Sequence, residues 1–109
     1  MAQTITTKTP TTLLRMATGT YYDTGTVAAY TFSDLGFKPR YVKVVNETDK
    51  TQIEWQEGMA DAEGIVTVAN GTRTLVTSEG ITVSDRGFIF GLDTDVNVMS
   101  KQCSWVAFG

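Results

Sequence analysis

The chain has 109 residues with nine Lys and Arg, twelve Asp and Glu, one cysteine and no histidine, giving a net charge of −3 and a sequence pI near 4.7. That length fits one domain able to bury roughly 65% of its unfolded surface. The absence of histidine removes the usual general base, nucleophile activator and metal ligand together; lone Cys103 excludes an intrachain disulfide; and cations scattered singly, as at Arg15, Lys38, Arg40 and Lys43, exclude the clustered charge that holds nucleic acid or an anionic membrane.

The opening stretch, "MAQTITTKTPTTLLRMATG", has no apolar signal-peptide core, and no run approaches the roughly 20 apolar residues that span a bilayer. The protein is therefore expected to stay where it is made. Threonine dominates this region and favours extended backbone through its β-branch, while Pro10 breaks any helix through it. Residues 1–18 are expected to form an extended N-terminal arm, with residues 19–109 as a single β domain. Such a stretch either frays, forms a first edge strand, or is an arm that orders on a partner.

No segment sustains an apolar i, i+3, i+4, i+7 stripe; "TLLRMA" makes one turn between Pro and Gly. Alternation of period two predicts strands at 27–32, 40–46, 51–57, 65–69, 72–77, 87–92 and 103–108, separated by turn-forming "DLG", "NETD", "EGMADAEG", "NG", "SEG" and "SDRG". Asn70-Gly71 between two β-branched runs predicts a type I′ hairpin, which needs positive φ at both central residues. The expected core alternates: Tyr41 or Val42 with Val44, Ile53 with Trp55, Phe88 with Phe90, Cys103 with Trp105. The fold class is all-β, a compact antiparallel β-sandwich or barrel-like domain.

Asp93, Asp95 and Asn97 in "LDTDVN" follow the first half of a calcium loop, but Val98 and Ser104 stand where an EF-hand places Gly and Glu. The alternative is a loop whose Asx side chains bond nearby backbone N–H groups. In "IEWQEGMADAEG", Glu54 and Glu57 fall on opposite strand faces and do not form a catalytic pair. Trp55 shares a face with Ile53, which places it in the core; an exposed Trp beside carboxylates would instead suit sugar stacking. The sequons at Asn46 and Asn70 coincide with turns, and Cys103 among apolar neighbours reads as an inert buried thiol. No cofactor motif is present, since no G-x-G-x-x-G leads into a helix.

Three stretches, "GTYYDTGTVAAYTFSDLGFKPRYVKVVNETD", "GTRTLVTSEGITVSDRGFIFGLDTDVN" and the terminal "CSWVAFG", together resemble small β domains of tailed-bacteriophage virion proteins, found alone or attached to head-decoration and fibre proteins. The resemblance spans residues 19–109 and lies in a cadence of strands and turns. It implies a non-enzymatic structural protein on the capsid surface of a virion, made in the bacterial cytoplasm. It further implies a capsid decoration (cement) protein with the major capsid protein and its own copies as partners, as a trimer, with no nucleic acid, membrane or cofactor. The arm residues Ile5, Leu13, Leu14 and Met16 are the contacts it implies. "RGFIFG" and "CSWVAF" would be the last two paired strands, with the acidic cluster in the loop between them; "MSKQ" departs from the Gly-containing turn common there. The competing reading is a fibre or host-recognition module binding carbohydrate through Trp55, Tyr21 and Tyr22.

Overall fold

A computed structural model describes residues 15–22, 29–98 and 100–109. Among these residues there is no helix; eight strands form one antiparallel sheet. They are β1 (Met16–Tyr22), β2 (Tyr30–Phe32), β3 (Tyr41–Asn46), β4 (Thr51–Gln56), β5 (Glu63–Thr67), β6 (Arg73–Ser84), β7 (Gly87–Phe90) and β8 (Gln102–Phe108). The sheet order is β1-β8-β3-β4-β5-β6-β7-β2, and the sheet curls into a half-barrel, so the all-β class holds.

Alternation sets which side of the sheet is the core. Val42 and Val44 on β3, Ile53 and Trp55 on β4, Val66 on β5, Ile81 on β6, Phe88 and Phe90 on β7, and Cys103 and Ala107 on β8 are all buried. Each takes every second position of its strand, and full burial of such a side chain contributes about 1.5–3 kcal/mol. The half-barrel brings its two edge strands within reach of each other through inward aromatics. Tyr21 of β1 meets Tyr30 of β2 at 4.6 Å between ring centres. Phe32 stacks on Phe88 at 4.8 Å and tilts against Trp105 at 5.1 Å. Trp105 is therefore only half-buried, at the mouth of the barrel and not in its centre.

Four expectations are corrected. First, β7 and β8 are not paired: β7 lies between β6 and β2, and β8 between β1 and β3. They meet face to face across the core instead, with Phe88 and Trp105 edge-on at 5.3 Å. Second, "SEG" does not end a strand. The β5–β6 register jumps from Gly64↔Val76 to Glu63↔Ile81, so residues 77–80 bulge out and β6 resumes. Third, the "NG" turn is a three-residue loop. Gly71 has φ +92°, whereas Asn70 is not among the positive-φ residues. The Gly71 N–H donates to the Val68 carbonyl at 2.8 Å, and the Val68 N–H donates to that of Thr72 at 3.0 Å. This is the turn-plus-αL solution, which needs only one glycine. Fourth, the arm boundary at residue 18 falls inside β1, whose Met16–Tyr22 pairs along β8 throughout.

Candidate functional site

The acidic cluster "LDTDVN" lies in the crossing from β7 to β8, at the end of the sheet where the β3–β4 hairpin turns. It is sewn down from several strands. Asn46, fully buried, donates through Nδ2 to the Val96 carbonyl at 3.1 Å, and Thr51 Oγ1 donates to the Asp95 carbonyl at 2.7 Å. The bulge of β6 grips the other side: the Leu92 N–H donates to Glu79 Oε2 (3.1 Å) and the Asp93 N–H to the Glu79 carbonyl (3.1 Å). Val96 is buried beneath as the apolar anchor.

Within the cluster the side chains have separate tasks. Asp93 Oδ1 accepts the Asp95 N–H at 3.0 Å, an Asx turn. Asn97 Nδ2 donates to the Gly91 carbonyl at 2.8 Å. Asp95 is exposed. Burial pushes the Asp93 carboxyl above its usual range, against the pull of backbone N–H groups of Asp95 and Val96. Among the described residues, no three His, Cys, Asp or Glu side chains are grouped so as to hold a metal ion.

The turn asparagines do local work. Asn46 Oδ1 accepts the Asp49 N–H at 2.9 Å, and Asn70 Oδ1 accepts the Thr72 N–H at 3.0 Å. Trp55 is buried, with its indole N–H donating to the Ala60 carbonyl at 3.1 Å, so it offers no sugar platform. Tyr21 faces inward, whereas Tyr22 is 55% exposed. The free thiol of Cys103 is buried and pushed up by that burial.

Sequence patterning also missed the outer face. Its glutamate is a hub: Tyr41 Oη donates to Glu54 Oε2 at 2.6 Å, Gln52 Nε2 donates to Oε1 at 3.0 Å, and Arg73 approaches at 3.9 Å. Burial and then Glu54 itself push the Tyr41 hydroxyl up to about 12. Beside this hub, register aligns Met16, Phe108 and Tyr41 in one outward row, with Val106 in the next. Met16 is 60% exposed, and the Tyr41 and Phe108 rings sit 6.0 Å apart. Of the arm residues, Ile5, Leu13 and Leu14 lie outside the described residues; Met16 stands at the start of β1. The signal for this row was pairing, which single-strand alternation does not carry.

Among the described residues no strand pairs with the outer edge of β1 or β2. Between these edges opens a cleft of about 400 Å³ lined by Ala17, Thr18, Phe32, Leu35 and Trp105 among others. Among the same residues no helix is long and apolar enough to cross a membrane. No family model, curated protein or solved structure matches the chain.

Proposed function

We propose that the protein is a non-enzymatic structural component of a tailed-phage virion, specifically a decoration protein that binds the major capsid protein of an assembled head. The observation that carries this reading is the outward row of Met16, Phe108 and Tyr41 on the outer face of the sheet. An apolar row on an outer sheet face suits docking on another protein surface. A protein that binds only the assembled shell stabilises it by mass action, and an additive at a symmetric lattice point is suited to self-association.

The second reading, a fibre or host-recognition module, keeps one support. Tyr22 is exposed, and the cleft beside β1 is floored by Phe32 and Trp105. Aromatic floors of this kind suit sugar rings.

Copy number in purified particles separates the readings. Quantitative mass spectrometry against the major capsid protein is expected to give a stoichiometry that tracks the capsid lattice. A few copies per particle would move the protein to a tail, fibre or vertex. Absence from particles would remove the virion reading.

A further inference from the structure

Among the described residues, β1 is an edge strand without the usual protection. Natural sheets blunt edges with charge, proline, bulges or short length. "MATGTYY" has no charged residue and no proline, pairs with β8 without a register shift, and runs for seven residues. Charged side chains stand on β3 to β6, whereas β1 has neither these nor the three-residue length that limits β2, the other edge.

The hydrogen-bond parity of this edge follows from two backbone contacts. The Gly109 N–H donates to the Arg15 carbonyl at 2.9 Å, which makes Arg15 and Gly109 a bonded pair of the β1–β8 ladder. The Glu47 N–H donates to the Gln102 carbonyl at 2.8 Å, so the even residues of β8 bond to β3 and the odd ones to β1. In an antiparallel ladder bonded and non-bonded pairs alternate. Ala17, Gly19 and Tyr21 therefore spend their backbone groups on β8. Met16, Thr18, Thr20 and Tyr22 point theirs outward.

We propose that a second copy of this chain docks antiparallel along this edge, about a two-fold axis passing Gly19, to join two half-barrels in one continuous sheet. That register pairs all seven residues. It sets Thr18 opposite Thr20 of the partner subunit and Met16 opposite the partner's Tyr22, and each of these is a bonded pair by the parity above. Thr–Thr and sulfur–aromatic contacts are favourable cross-strand neighbours. No like charges meet. The edge is thus complementary to itself, which is what an isologous interface requires. The resulting symmetry is two-fold, not the three-fold one implied by the family resemblance, and the inference stands whether or not the protein belongs to a virion.

Light scattering on the full chain across a dilution series tests it. The wild type is expected to have the mass of a dimer. Thr20→Pro removes an outward N–H while leaving the β1–β8 bonds in place, since proline is tolerated at an edge facing away from the ladder; the mass should halve with the circular dichroism unchanged. The double variant Thr18→Cys, Thr20→Cys keeps a second route open, because bonded pairs hold Cα atoms about 5.5 Å apart, within disulfide range. It should give a covalent dimer on oxidation. A wild-type monomer at every concentration, an oligomer whose mass Thr20→Pro does not change, or failure of the double variant to cross-link would overturn the proposal.

Discussion

Asp93 carries the chemistry of the β7–β8 crossing in a single side chain. Its carboxylate is buried, accepts the Asp95 N–H, and lies near the charges of Asp95 and Glu79. Burial is the largest influence, and the carboxyl is raised above 3.8. A raised carboxyl holds its proton more tightly folded than unfolded, so it favours the fold when protonated, and this contribution is lost as pH rises through the folded value. At neutral pH the charge is a cost. Asp93→Asn keeps an acceptor at Oδ1 and removes the charge, so it should melt higher than wild type at neutral pH, with the difference closing on acidification to about pH 4. Asp93→Ala loses the acceptor and should cost about 1–2 kcal/mol. Thermal melts across pH check both; an Asn variant that melts lower at neutral pH would refute the account. The Asx chemistry of "LDTDVN" was legible in the sequence because it is local. The burial was not, because Asn46, Thr51 and Glu79 reach the loop from far along the chain.

At the level of strands, Gly87 decides whether β2 can join the sheet. It opens β7 after the turn from Ser84, and a Cβ there would run into the Phe32 carbonyl and lie 3.0 Å from the Ser33 Cα. The obstruction is backbone, which cannot swing aside as a side-chain tip can. Gly87→Ala should therefore push β2 off and loosen the contacts of Phe32 with Phe88 and Trp105, at a cost on the order of 3 kcal/mol. Urea unfolding monitored by tryptophan fluorescence measures it, and a midpoint equal to wild type would contradict this geometry. Strands β3, β4, β7 and β8 were legible because their apolar residues alternate over several positions. β1 was legible only as an edge-strand alternative for the Thr-rich N-terminal stretch, since Ala, Thr and Gly give alternation no contrast. β6 looked like a strand ending in a turn because "SEG" is turn chemistry; the bulge at 77–80 uses the same residues without leaving the sheet.

For the molecule as a whole, the governing fact is that the first described strand pairs with the last. β1 runs along β8 from Met16↔Phe108 to Tyr22↔Gln102. These contacts span most of the chain, and closing so long a loop makes folding slow relative to locally paired folds. They also cover Cys103, which lies opposite Tyr21. In the full chain the thiol should react slowly with a thiol reagent, being buried and raised. Deleting residues 1–22 should speed that reaction at least about tenfold by exposing the β8 edge; equal rates in the two proteins would show that β1 does not guard it. Sheet order was the part least legible in the sequence. Hairpins follow from neighbouring strands, as in β3 to β7, but the positions of β1, β2 and β8 depend on which aromatic faces meet across the core.

Arg15 and Gly109 hold each other by a backbone hydrogen bond at one corner of the sheet. Read as a ring and not as a line, the stretch from Arg15 to Gly109 is nearly closed already. A short turn joining those two residues would convert the longest-range pairing in the molecule into an ordinary hairpin. New ends could then be opened at an exposed tip such as the Asn70-Gly71 loop. The same sheet would be built from a different starting point, with its most distant partners made neighbours.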